Sequence, residues 1–242
     1  MPTAVKTSSF ERAISEIERE YISLEHTLGW RFLCVSQSVL QSNPKIALIT
    51  ANPGGKSIPP DHPPASCENG CAYISETWGT AKKGESKLQK QIQRLFDALA
   101  AQTNFKEGGA ALMESSLIAY YIPFRSPRLA LLPRKKESLK FARSLWAPLF
   151  DQVRPKLIIT IDPDAYKYFG ELLHLSMPTL HPQRDVMPTG WGTYTADVSR
   201  YGEGQNTTTL VRLPHLSTFQ LFARAECKPF VNAILTSACK YL

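Results

Sequence analysis

The stretch Asn43-Pro44-Lys45-Ile46-Ala47-Leu48-Ile49-Thr50-Ala51-Asn52-Pro53-Gly54-Gly55 decides the fold of this 242-residue chain. Its apolar run, Ile46 to Thr50, is short and continuous rather than alternating, the form of a strand buried on both faces, and turn-forming residues bound it on either side. It belongs at the centre of a sheet. Upstream, Phe10, Ile14, Ile17, Tyr21 and Leu24 recur at helical spacing, which predicts an amphipathic helix over 8–27, capped by Ser8 or Ser9 and ended by Gly29. Downstream, Leu88, Ile92, Leu95, Phe96 and Leu99 mark a helix. Ser116 to Ile122 reads as a second strand ending at Pro123, Leu139 to Val153 as a helix and Leu157 to Ile161 as a third strand. Asp162-Pro163 opens another helix, with proline in its first turn. Thr193 to Val198 is a further strand, Thr208 to Leu213 the fourth core strand, and a last helix runs from about Glu226 to Lys240.

Strands alternating with helices imply right-handed βαβ crossovers. The expected fold is α/β: three α/β/α layers around a mainly parallel, four-stranded central sheet, in a single domain spanning 1–242. The stretch 54–84 is rich in Pro, Gly, Ser and Cys and sustains no periodicity, and 176–206 opens with a proline- and glycine-rich run to Gly192 ahead of the Thr193–Val198 strand. They read as loop insertions, and a structureless loop of ~30 residues inside a compact domain is usually functional or disordered.

Hydrophobic residues at 43%, charged residues at 20% and a mean hydropathy of -0.21 exclude a chain disordered throughout. No apolar run approaches the ~18 residues of a membrane span. The segment before Phe10 lacks an apolar core with a cleavage site, so the reading is a cytoplasmic protein with no membrane partner. A net charge of +7 points to a polyanionic partner. Five cysteines, an odd number, read as free thiols. The sequence has neither a phosphate-binding P-loop nor a dinucleotide fingerprint, so no nucleotide cofactor is expected.

Ligands of open α/β sheets bind beyond the carboxyl ends of the strands. Here those ends carry Thr50-Ala51-Asn52-Pro53-Gly54-Gly55, Pro123-Phe124-Arg125-Ser126-Pro127 and Leu213-Pro214-His215-Leu216-Ser217-Thr218-Phe219. An amide, an arginine, a histidine, small hydroxyls and an aromatic therefore converge on one crevice.

The Asn-Pro-Gly turn after the first buried strand and the Pro-His-Leu-Ser turn after the last resemble the two signature motifs of the uracil-DNA glycosylase superfamily. The resemblance spans about Arg31 to Tyr241 and rests on both motifs standing in order at equivalent strand ends. It implies a uracil-DNA-glycosylase-like fold and a monofunctional DNA glycosylase that hydrolyses the base-sugar bond of an extruded nucleotide. Asn52 matches the residue that positions water, and His215 matches the group that stabilises the departing base. The chemistry needs such residues, because the reaction leaves an oxocarbenium-like sugar and an anionic base. No lysine stands at either motif to act as a Schiff-base nucleophile, so lyase activity is not expected.

By the same resemblance Phe219 occupies the wedge position, and Ser126 and Ser217 are phosphate contacts. Gly54 and Gly55 allow close backbone approach, and Tyr73 is a stacking partner for the base. Ala51, Pro53, Ala119 and Tyr120 complete the expected base pocket, and Arg125 joins the DNA contacts. The implied partner is DNA, through its phosphate backbone and one flipped nucleotide. Two departures matter. Thr50 replaces the usual glycine two residues before the water-positioning residue. Ala119, Tyr120 or Tyr121 stands where uracil-specific members carry a base-reading asparagine, which shifts the expected substrate towards a bulky modified pyrimidine, such as glucosylated hydroxymethylcytosine in phage DNA. A uracil or mismatch repair enzyme, a non-catalytic recogniser of unusual DNA and a small-molecule hydrolase are the rivals.

His62, Cys67 and Cys71 lie within ten residues but lack an evident fourth ligand, and no paired Cys-x2-Cys opening is present, so no metal is expected. The basic runs Lys82-Lys83 and Arg134-Lys135-Lys136, and Arg125 with Arg128, are of a kind more often solvated than functional. The latter two follow the second strand and can flank a DNA groove.

Overall fold

The computed structural model describes residues 8–176 and 182–242. The first seven residues, part of the N-terminal reading, and 177–181, within the expected 176–206 insertion, lie outside the described residues. The helices are α1 (Ser9–Ser23), α2 (Ala72–Ser75), α3 (Lys87–Thr103), α4 (Gly108–Glu114), α5 (Lys135–Val153), α6 (Pro163–Ser176), α7 (Leu216–Phe219) and α8 (Lys228–Ala238). The strands are β1 (Ile46–Thr50), β2 (Leu117–Tyr120), β3 (Leu157–Thr160), β4 (Gln183–Pro188), β5 (Thr195–Tyr201) and β6 (Thr208–Arg212). They form one sheet in the order β2-β1-β3-β6-β5-β4.

Every residue of β1 is buried, as its unbroken apolar run requires. It pairs in parallel with β2 and β3, and β3 pairs in parallel with β6. Ala47, Ile49, Leu117 and Ile158 pack against Trp146, Phe150 and Val153 of α5 and Phe169 of α6. Ile46 opens instead onto a cavity of about 610 Å³ lined by Phe105, Leu112 and Cys239. Helices therefore cover both faces of the sheet. Ser8 caps α1 in a reciprocal capping box with Glu11. The helix ends at Ser23 rather than near Gly29, because Glu25 turns left-handed at φ 56°.

The structure corrects the expected four-stranded sheet: among the described residues it has six strands and is mixed. The strand anticipated near 193–198 is β5. It runs antiparallel to β6, and β4 adds to it antiparallel at the edge. β4 escapes sequence reading because it is a solvent-facing edge closed by Pro188, with no apolar side to reveal it. The turn is drawn together by Asp197, 1% exposed, which accepts hydrogen bonds from Arg184 on β4 and Arg212 on β6. The short helix α4 hides behind Gly108-Gly109. A Cβ at Gly109 would lie 2.6 Å from the Asp97 nitrogen, so the glycine lets α4 press onto α3.

The 54–84 stretch is not structureless. Its backbone accepts from Phe32 and Leu33 at Pro64 and Ala65, donates from Cys67 to Val35 and from Ala72 to Cys34, and forms α2. Residues 30–34 also line the outer edge of β2, where Arg31 and Cys34 donate to Pro123 and Ile118, and Tyr120 donates to Phe32. These partners are distant in sequence, which is why no local period signals them.

Candidate functional site

Parallel pairing sets the heights of the two motif turns. Thr160 of β3 registers with Ile49 on one side and Arg212 on the other, and Asn52 and His215 each lie three residues further on. Both leave the same carboxyl edge at one level. With neighbouring strands ~4.8 Å apart, β1 and β6 flank β3 at a separation of roughly 10 Å.

Asn52 is half-buried and its amide nitrogen is fully engaged. Nδ2 donates to the Phe124 carbonyl at 3.0 Å, to Ser126 Oγ at 2.9 Å and, more weakly, to the Pro53 carbonyl at 3.3 Å. Ser126 Oγ in turn donates to the Arg128 carbonyl at 2.8 Å, leaving its lone pair for Asn52. Three acceptors around one nitrogen fix the amide's orientation, so Oδ1 is the atom left for another donor. Ser126 is fully buried; here it positions Asn52 and offers no hydroxyl to a phosphate at the surface. Pro53 is buried, Ala51 half-buried, and Gly54 and Gly55 are exposed, with Gly55 at φ 97°.

Arg125, 8% exposed, donates to the Gly54 carbonyl and packs under Gly55. It pins the first turn from below rather than reaching into solvent. Burial, with Arg31 nearby, lowers its pKa.

Beneath this turn lies a buried ionic cluster that the sequence reading missed. Arg31 holds Glu76 through two hydrogen bonds, both at 2.5 Å. Glu76 also accepts from Trp78 Nε1 at 3.0 Å and faces His62 Nδ1 at 3.5 Å. Burial alone would raise the Glu76 pKa, but Arg31, Trp78 and His62 outweigh it and hold the carboxyl below its ordinary range. The signal available in sequence was slight: single charges, Arg31 beside Trp30 and Glu76 two residues before Trp78, set in otherwise apolar surroundings.

Around the same cluster, Arg31 Nε, Arg125 Nε, His62 Nε2, Tyr73 OH and Thr50 Oγ1 are buried polar atoms without a hydrogen-bond partner. Such atoms are rare in folded proteins and mark a place where polar groups gather for a reason other than packing. Tyr120 lies among them, beside Cys34, Arg31 and Arg125. Burial raises the pKa of both Tyr73 and Tyr120, so both are neutral phenols, and pushes the Cys34 thiol up to about 12.

Tyr73 is fully buried in α2, its ring edge-on to Trp78 at 4.9 Å, and not open to a stacking partner. Ala119 is fully buried, its backbone paired within the sheet between Ile49 and Leu33. Among the described residues no three His, Cys, Asp or Glu side chains converge to hold a metal ion, and His62 turns to Glu76 rather than to Cys67 or Cys71. The five cysteines are free thiols.

The second turn is more open. His215 caps the four-residue helix α7, and its Nδ1 lies 2.9 Å from Ser217 Oγ. Crowding of the ring by surrounding protein lowers its pKa below 6.5, which favours neutral imidazole. When Ser217 donates to Nδ1, the proton of the neutral ring sits on Nε2 and that nitrogen becomes a donor. Ser217 is thereby a positioning residue. Phe219 is half-buried with its ring 4.2 Å from that of Tyr194, which is 48% exposed. Tyr194, Phe219, His215, Pro163 and Arg212 line a groove of about 330 Å³. Tyr194 was legible only as an aromatic following Gly192-Thr193 and received no role.

No family model matches the chain, and no curated protein matches it.

Proposed function

We propose that the protein is a monofunctional DNA glycosylase on a three-layer, uracil-DNA-glycosylase-like α/β/α fold. It hydrolyses the N-glycosidic bond of an extruded, modified or damaged pyrimidine and leaves an abasic site. The observation that carries this reading is the fixed amide of Asn52. Its nitrogen is consumed by Phe124, Ser126 and Pro53, its oxygen is left to accept from water, and it stands at the same height as His215.

In the proposed reaction the C1′–N bond breaks and its electron pair moves onto the base. A water held by Asn52 Oδ1 adds to C1′ and loses its proton to solvent. His215 Nε2–H donates to the base oxygen on which negative charge develops, a contribution of the oxyanion-hole kind. Tyr194 and Phe219, beside His215, provide aromatic surface next to the opened stack. Where uracil readers carry an amide this chain offers Ala119, Tyr120 or Tyr121, none of which presents an amide's paired donor and acceptor. The missing reader is the reason a modified pyrimidine, as in phage DNA, is proposed as substrate rather than uracil.

The test is incubation with DNAs carrying uracil, mismatched thymine, hydroxymethylcytosine or glucosylated hydroxymethylcytosine, scored as abasic sites by alkaline cleavage. Cleavage of one substrate that vanishes in Asn52→Ala supports the reading and names the base. Retained, salt-sensitive binding with no cleavage of any substrate replaces it with a non-catalytic recogniser.

A further inference from the structure

A second cleft opens at the same carboxyl edge but on the α5–α6 side. It measures about 400 Å³ and is lined by Tyr121, Lys136, Lys140, Arg143, Asp164 and Lys167 together with Leu139. Lys136, Lys140 and Arg143 follow one another at i, i+4 and i+7 and so form a single stripe along α5, while Lys167 closes the cleft from α6. Like charges at that spacing destabilise an isolated helix. The neighbouring carboxylates only partly offset them. Asp164 pairs with Lys135 at 3.2 Å, and Glu171 with Arg143 at 3.0 Å and Lys167 at 3.9 Å. Among the described residues Lys136 and Lys140 have no acidic partner. Arg143 is further fixed over the Tyr168 ring at 5.7 Å.

The wall opposite the lysines is Tyr121, 1% exposed, its ring stacked on Tyr168 at 5.4 Å. Its backbone ties it to both structures that matter. Its nitrogen donates to the Thr50 carbonyl at 2.7 Å, two residues before Asn52, and its carbonyl accepts from Trp146 Nε1 of α5 at 2.9 Å. Burial keeps the phenol protonated, and beside Arg143 it forms the rigid wall of the cleft. The cleft thus sets two unpaired ammonium groups and a fixed guanidinium against a rigid aromatic wall, a cationic donor set suited to phosphate oxygens.

We infer that this cleft seats the phosphodiester backbone of the DNA substrate beside the turn that carries Asn52. The inference rests on the glycosylase reading for its partner, but not on catalysis. It also gives the basic run at 134–136 a specific neighbour in Lys140, Arg143 and Lys167.

The experiment is fluorescence anisotropy of a labelled oligonucleotide against salt, for wild type, Lys136→Ala/Lys140→Ala and Lys82→Ala/Lys83→Ala. Each phosphate contact contributes about 0.7 to 0.9 to the slope of log K on log salt. The α5 double variant is therefore expected to lose roughly 1.4 to 1.8 of slope, and the loop control to keep the wild-type slope. An unchanged slope in the α5 variant overturns the inference while leaving DNA binding intact. A wild type that binds no oligonucleotide overturns it together with the glycosylase reading. A reduced slope without abasic sites on any substrate upholds the cleft and removes only the catalytic reading. Displacement of DNA by millimolar inorganic phosphate, with the slope unaffected by the α5 substitutions, also overturns it in favour of a free-anion site.

Discussion

The two turns that carry the candidate chemistry are built to different standards. The first, around Asn52, is held by three hydrogen bonds on one nitrogen, supported by Arg125 from below and backed by the buried Arg31–Glu76 pair. The second, around His215, stands in a four-residue helix at the surface, with a single side-chain partner in Ser217. The contrast fits the proposed division of labour. An amide that orients water must present its oxygen in one direction, whereas a neutral imidazole needs only a defined proton position and room for a base to arrive.

Four measurements would break or sharpen that contrast. Asn52→Ala should lower single-turnover cleavage by about 10²- to 10⁴-fold, and Asn52→Asp should retain more activity, because a carboxylate still accepts from water. Equal activity in Asn52→Ala and wild type would end the assignment of the first turn. Arg31→Met should cost about 3–5 kcal/mol in urea unfolding, since it leaves Glu76 buried and unpaired, and Arg31→Met/Glu76→Leu should recover much of that loss. No recovery would mean that the cluster acts through packing alone. His215→Ala should reduce turnover by roughly 10²- to 10³-fold while moving the unfolding midpoint little, the reverse of the Arg31 pattern.

The smallest effect concerns acid. His26 is buried, packs its ring 4.4 Å from that of Phe124, whose carbonyl holds Asn52, and meets Ser138 Oγ at 3.1 Å. Burial, with Arg134, lowers its pKa below 6.5. Between that lowered value and 6.5 the unfolded chain binds more protons than the folded one, so stability rises with pH through the window and falls as acid is added. Urea midpoints measured at intervals from pH 5 to 7.5 should show this slope in wild type, and a smaller one in His26→Gln. Parallel slopes would place the acid sensitivity elsewhere.

The parallel half of the sheet was legible because burial on both faces writes itself locally. Ile46 to Thr50, Leu157 to Thr160 and Thr208 to Arg212 are short apolar or β-branched runs between turn residues, and the structure returns them almost to the residue. β4 was not legible, because an exposed edge strand needs no apolar period, and α4 was masked by glycines whose reason is the backbone of α3. At the site, the positions of Asn52 and His215 at equal height followed from strand ends. The roles of Ser126 and Arg125 did not, since whether a hydroxyl or guanidinium faces solvent or supports a turn depends on contacts such as those with Asn52 and Gly54. Arg31, Glu76 and His62 were hidden for the same reason, being joined only by the fold of the 54–84 stretch.

The sheet stops growing at both margins, by different means. At β2 residues 30–34 occupy the outer edge and use up its backbone groups. At β4 Arg184 and Asp185 place charge along the edge strand, paired across to Asp197 and Arg200, and Pro188 closes the strand without a donor. A second molecule docking edge-on there would meet charged side chains and a proline. Charge and proline on an edge strand are devices that disfavour strand-to-strand pairing between molecules.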